Sequence, residues 1–185
     1  MYYRLFKKLY EREAIRMCQK CRNFIRDGQK ILDLGCGAGI IGKVFQKFFR
    51  AELLGVDIVD RRIVDIPFKL SGLSCLPLKD KSFDFILISY VLHHTGDPKA
   101  LLGEAKRISR DKIIIFEDIP EGWISNAFCR LHGFSFDRLF RNPTRTTFYP
   151  EREWKEIFKN LGLNFLFGQR INNFPVKKEL FVLGV

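Results

Sequence analysis

Three groups of residues have the types and spacing for chemistry. The first is Asp33, Gly35, Cys36, Gly37 and Gly39, which close the stretch KILDLGCGAG at residues 30–39. Glycine takes up positive φ without steric cost and lets a ligand approach the main chain closely. A helix that starts behind such a turn presents unpaired N–H groups, so the turn suits a nucleotide-type ligand. The second is Asp57, at the end of the segment Glu52-Leu53-Leu54-Gly55-Val56-Asp57. A carboxylate there accepts hydrogen bonds from a ribose diol. The third is the pair His93-His94, a few residues behind an apolar run. An unperturbed imidazole titrates near neutrality and serves as a general base.

The elements that must position these groups follow from hydrophobic pattern. Ile31, Leu32 and Leu34, then the glycines, then residues 40–49 read as strand, tight turn and helix. Residues 52–57 form a second strand. Residues 83–89 are a continuous apolar run, as in a parallel strand buried on both faces, and residues 112–117 (KIIIFE) are another. Asp97-Pro98 supplies N-cap and N1 to a helix with inner face Leu101, Leu102, Ala105 and Ile108. After Pro150 a last helix carries Trp154, Ile157, Phe158 and Leu161 and stops at Gly162, before a strand pair at 163–167 and 180–185 with its turn at 172–178. Strands alternating with helices specify a doubly wound α/β sheet with helices on both faces. Ligands in such sheets bind beyond the carboxyl ends of the strands, where residues 35–39, Asp57, residues 89–94 and Glu117-Asp118 fall.

Three segments read less regularly. Residues 1–28 are a helical lead-in, with Leu5, Leu9, Ile15, Cys18, Cys21 and Ile25 at roughly helical spacing and Asp27-Gly28 as its end. Residues 57–69 are barely long enough for a parallel crossover and contain Pro67, so a short, irregular connection is expected. Residues 118–149 interleave aromatic and arginine residues and read as a lid or substrate-binding insertion. A helical cap that simply packs its aromatic residues is the alternative.

Asp33-x-Gly35-Cys36-Gly37-x-Gly39, followed by Gly55-Val56-Asp57-Ile58, resembles motifs I and II of the class I S-adenosylmethionine (SAM) methyltransferases, of the type 11-like group. The block Leu76-Pro77-Leu78-x-Asp80-x-Ser82-Phe83-Asp84-Phe85-Ile86, running on to Val91-Leu92-His93-His94, resembles that family's next block. The resemblance spans residues 29–117. It implies one domain over residues 1–185, with a mostly parallel seven-stranded sheet whose last strand is antiparallel. It implies SAM as cofactor, held by Asp33, Gly35, Cys36, Gly37, Gly39, Asp57, Ile58, Leu73 and Ser89, and it places His94 and His93 at the pocket floor as base candidates. A rival register, Gly37-Ala38-Gly39-Ile40-Ile41-Gly42, matches the dinucleotide fingerprint G-x-G-x-x-G but starts the turn two residues later. The acidic residue that often precedes Leu-Pro in the family is missing; Ser71, Ser74 or Asp65 is left to meet the adenine amino group.

Composition bounds the rest. With 185 residues, 46% of them apolar and 14% aromatic, the chain buries a sizeable core as one domain. No run approaches a membrane span and the N-terminus lacks the apolar core of a signal peptide, so a cytoplasmic protein is expected. Cys18 and Cys21 have C-x-x-C spacing without the second ligand pair of a structural zinc site, and no metal is expected. The net charge of +11 raises nucleic acid as a partner. Yet residues 89–92, Ser-Tyr-Val-Leu, differ from the Asn-Pro-Pro-Tyr tetrapeptide of nucleic-acid amino-methyltransferases, and no Pro-Cys nucleophile occurs. The expected function is methyl transfer to a small-molecule or lipophilic acceptor. The alternatives are an RNA (tRNA or rRNA) methyltransferase and a SAM-binding protein without catalysis. Oligomeric state is not legible.

Overall fold

Each apolar run alternates its side chains between two faces of a sheet. The computed structural model describes residues 2–73, 75–140, 146–171 and 175–185. Among these, seven strands form one sheet: β1 (Lys30–Leu34), β2 (Glu52–Asp57), β3 (Phe68–Leu70), β4 (Phe83–Ser89), β5 (Ser109–Ile119), β6 (Asn164–Ile171) and β7 (Lys177–Gly184). Their spatial order is β3-β2-β1-β4-β5-β7-β6. β1 to β5 pair in parallel, while β7 runs antiparallel to both β5 and β6. This is the doubly wound, mostly parallel sheet with an antiparallel last strand that the pattern and the resemblance called for. The winding direction reverses between β1 and β4, and crevices at such switch points take ligands.

The two faces bury separate layers. On one, Leu32, Ile86, Ile113 and Phe181 pack on α4 (Pro98–Ile108) and α6 (Glu151–Asn160) through Leu101, Ala105, Trp154 and Phe158. On the other, Ile31, Phe85, Ile114 and Val182 pack on α2 (Lys7–Cys21) and α3 (Ile40–Phe48) through Met17, Cys21 and Phe45. The strand neighbours alternate between the layers, which fixes the register, because a slip of one residue would turn every strand side chain to the wrong layer. α4 begins as its dipeptide predicts: Asp97 Oδ1 accepts from the Ala100 N–H at 2.9 Å, with Pro98 at N1.

The lead-in differs from expectation. It breaks at Phe6 into α1 (Tyr2–Leu5) and α2, and Leu5 and Leu9 are 79% and 63% exposed. The buried stripe of α2 is Ala14, Met17, Cys18 and Cys21. The helix turns toward the sheet the side on which small and thin side chains allow close packing, and the Leu5–Leu9 ladder lies off it. Cys18 and Cys21 are buried in the layer packed on the sheet, and that burial pushes the Cys18 thiol up to about 12 and Cys21 higher still.

Residues 118–149 also differ from the irregular segment expected. They contain a 19-residue helix, α5 (Gly122–Phe140). Gly133 inside it allows close approach, since a Cβ there would lie 3.1 Å from Thr146 and 3.3 Å from Phe148. The helix does not pack all its rings: Trp123 is 82% and Phe134 64% exposed. The alternative reading therefore holds for the helix and fails for the packing. Residues 58–67 form the short connection expected, without a helix. Arg62 braces it by donating to Ile66 O at 2.6 Å and Asp60 Oδ1 at 2.8 Å, with its guanidinium 4.3 Å above the Phe68 ring. β5 and β6 are longer than predicted, and residues 172–174 of the expected turn lie outside the described residues. None of the described helices is long and apolar enough to cross a membrane.

Candidate functional site

β1 runs directly into the glycine turn. Gly35, Gly37 and Gly39 have φ of +77°, +49° and +75°. At Gly35 a Cβ would sit 2.6 Å from both Val91 methyls, so the position admits glycine alone without a shift of Val91. The turn starts at Gly35, not at Gly37 as the dinucleotide register requires. It is stitched to the end of β2. The Gly35 and Cys36 N–H groups donate to Val56 O at 2.8 and 3.1 Å, and the Gly37 N–H donates to Asp57 Oδ2 at 2.8 Å. Asp57 Oδ1 accepts from the Val59 N–H at 3.3 Å. Each carboxylate oxygen keeps a further lone pair, so Asp57 both fixes the turn and can receive a diol.

Asp33 does its work behind the turn. α3 has Gly39 at its N-cap and therefore no side-chain cap. The Asp33 carboxyl reaches across from β1 to the main chain at Gly42, in the first turn of the helix. Gly42 is bare because Asp33 Oδ2 occupies the space its Cβ would need. That oxygen is buried and, among the described residues, without a partner. Burial first, and the nearby Asp57 charge second, push the Asp33 carboxyl up to about 7, against the pull of the Gly42 N–H.

The remaining cofactor candidates spread outward from the turn. Cys36 is buried under Gly55, its thiol pushed well up by burial and the two aspartates. Ile58 is exposed beside Asp57, and Leu73 is half-buried against the core. Ser89 ends β4 with its Oγ buried and unpartnered among the described residues. Of the adenine candidates, Ser71 lies close, donating its N–H to Asp57 O at 3.0 Å; Asp65 is exposed and Ser74 lies outside the described residues.

The histidines follow β4 on a 3-10 turn, Leu92–His94. His93 is fully buried, with Nδ1 hydrogen-bonded to Glu117 Oε1 and its ring stacked 4.6 Å from Phe148. Glu117, also fully buried, is held by the Leu92 N–H at 3.1 Å and the Asp118 N–H at 3.0 Å. Burial presses the His93 pKa down, but the Glu117 charge and hydrogen bond outweigh it and the net shift is upward. Burial, then the His93 and His132 rings, drive His94 down to about 2. His93 is closed in by Glu117 and Phe148. A third histidine was not foreseen: His132 on α5 brings its ring centroid 5.7 Å from that of His94 and 6.1 Å from that of His93.

SAM, the group implied by the sequence motifs, fits the residues present. The turn offers a main-chain cradle open at Gly37, where a Cβ would meet nothing within 4 Å. Asp57 offers ribose acceptors, and Ser89 Oγ and Asp33 Oδ2 are buried polar atoms still wanting partners.

The fold and the stitched turn define a Rossmann-like domain of the methyltransferase kind. A family model described as a methyltransferase domain matches residues 6–166, and the chain belongs to that family. An uncharacterized protein of Methanocaldococcus jannaschii is 24% identical over 95% of this chain and 79% of its own length. A demethylmenaquinone methyltransferase of Thermotoga maritima is 28% identical over 50% of this chain and 44% of its own. The chain spans only 38% and 39% of two further relatives, from Schizosaccharomyces pombe and Streptomyces fradiae. Among solved structures, a SAM-dependent methyltransferase of Thermotoga maritima superposes with a TM-score of 0.73 at 20% identity, over 99% of this chain and 94% of that one.

Proposed function

We propose that the protein binds SAM across the glycine turn and Asp57 and transfers its methyl group to a small-molecule or lipophilic acceptor. One observation carries the cofactor reading: the hydrogen bond from the Gly37 N–H to Asp57 Oδ2, which fuses cradle and ribose acceptor into one unit at the switch point of the sheet. When bound, the donor supplies a methyl carbon already activated by its sulfonium, so the protein's task is to bind, align and exclude water. The Gly35–Gly39 main chain binds. Asp57 orients the adenosyl end. Val91, Val64 and Ile66, packed close over Gly35 and Gly39, keep that floor dry. The exposed apolar residues of α5 (Trp123, Phe128, Leu131, Phe134) support a lipophilic acceptor, since the helix that carries them also carries His132.

Calorimetric titration of SAM into wild type and Asp57→Ala tests the reading. Loss of a charge-assisted hydrogen bond predicts about 10- to 100-fold weaker binding in the variant. Equal affinity in both proteins would refute the assigned grip. With binding established, methyl transfer to an apolar acceptor panel supports the acceptor class. Transfer to RNA alone, or binding without transfer to any of these acceptors, overturns it.

A further inference from the structure

The three histidines of the chain sit on two separate elements yet meet in one place. One ring nitrogen from each of His93, His94 and His132 lies within 4.8 Å of the others. We propose that these three side chains form a binding site for a divalent transition-metal ion of the zinc class.

The hydrogen bonds around the cluster prepare it for that task. His93 Nδ1 is taken by Glu117, so the ring's other nitrogen, Nε2, is the one left to coordinate. Nε2 is fully buried and, among the described residues, has no hydrogen-bond partner. A buried imidazole nitrogen without a partner is costly unless something occupies its lone pair. His94 is oriented in the same sense. The Thr146 hydroxyl donates to Asp137 Oδ1 at 2.6 Å, leaving only lone pairs for His94 Nδ1 at 3.0 Å, so Nδ1 carries the proton and Nε2 is the Lewis base. A metal-bound histidine characteristically gives its other N–H to a carboxylate or another oxygen, which fixes tautomer and ring orientation. Glu117 and Thr146 hold those positions here. Imidazole suits zinc, copper, nickel and iron.

The spacing needs a modest closure. Tetrahedral zinc at about 2.0–2.1 Å from each nitrogen sets nitrogen–nitrogen separations of about 3.3–3.4 Å. Binding draws the three nitrogens together from separations of up to 4.8 Å, and His132 is the exposed member of the set. Three histidines leave a fourth position, as in catalytic rather than structural zinc sites. The cluster lies beyond the carboxyl end of β4 and beside Glu117 of β5, at the end of the sheet that carries the glycine turn. The metal site stands on the histidine geometry alone and does not depend on SAM being the cofactor.

Metal-free full-length protein titrated with Zn2+ against a competing chelator tests the proposal, with Co2+ absorption as a second readout. The expected result is one ion per chain and a Co2+ spectrum of tetrahedral nitrogen–oxygen type. His132→Ala should weaken binding at least about 100-fold, and Glu117→Gln about 10- to 100-fold. Because His132 is exposed, His132→Ala is expected to fold, and an unchanged thermal melt in the absence of metal verifies that. Absence of stoichiometric binding, equal affinity in His132→Ala, or the thiolate charge-transfer band of cysteine ligation would each overturn the site.

Discussion

Asp33→Asn should remove a specific slope from the pH dependence of stability. Asp33 is fully buried in the folded chain and its carboxyl is raised from 3.8 to about 7. Below pH 4 the folded and unfolded states both hold the proton, and stability is at its full value. As pH rises from 4 toward 7 the unfolded chain ionises while the folded chain keeps its proton, so stability falls; above 7 the loss is complete. The shift is about 3 units, or ~4 kcal/mol at ~1.4 kcal/mol per unit, of which ~3 kcal/mol falls between pH 5 and pH 8. Asparagine keeps the size and shape of the side chain and removes the titration. Its buried amide adds only an offset that does not vary with pH. Glu179, raised to about 7 mainly by burial, contributes a slope of the same sign in both proteins and cancels in the difference. Urea unfolding of wild type and variant at pH 5 and pH 8 measures it. The gap between the two proteins should move in favour of the variant by ~3 kcal/mol. Parallel losses in the two proteins would refute the assignment of a buried, protonated Asp33.

Gly35→Ala forces a side chain into positive φ, at about 1–2 kcal/mol, and against Val91. Urea melts should show at least that loss, and adding Val91→Ala should recover the steric part while leaving the backbone part. Trp154, fully buried between α6 and the sheet, should cost about 3–5 kcal/mol on truncation to alanine, read as a lower unfolding midpoint without a change in slope. Trp123→Ala, at an exposed position, should leave the unfolding midpoint within about 0.5 kcal/mol of wild type.

The parts of the fold that were legible are those where local chemistry and tertiary packing agree. Phe85–Ile88 is apolar throughout because it is buried on both faces, and Asp97-Pro98 starts a helix by its own capping. The glycines at 35, 37 and 39 announced the turn because all three take positive φ and Gly35 has no room for a side chain beneath Val91. What escaped notice depends on partners distant in sequence. The spacing that suggested a dinucleotide fingerprint placed a glycine at 42, but its reason, the Asp33 carboxyl, becomes visible only when strand and helix are docked. Glu117 stood at a strand end, with nothing local to pair it with His93. His132 is separated from His94 by a strand and two helix segments, so no spacing rule joins them. α5 was obscured by Gly122, Gly133 and an apolar stripe that faces solvent instead of the core.

One joint carries the cofactor assignment: the turn at Gly35–Gly39 and the carboxylate of Asp57 acting together on one ligand. A crystal structure of the protein grown with S-adenosylhomocysteine tests it most directly. The account predicts ribose hydroxyls on the Asp57 carboxylate and the amino-acid end along the Gly35–Gly39 main chain. Ligand density elsewhere, with Asp57 engaged only by Gly37 and Val59, would contradict it.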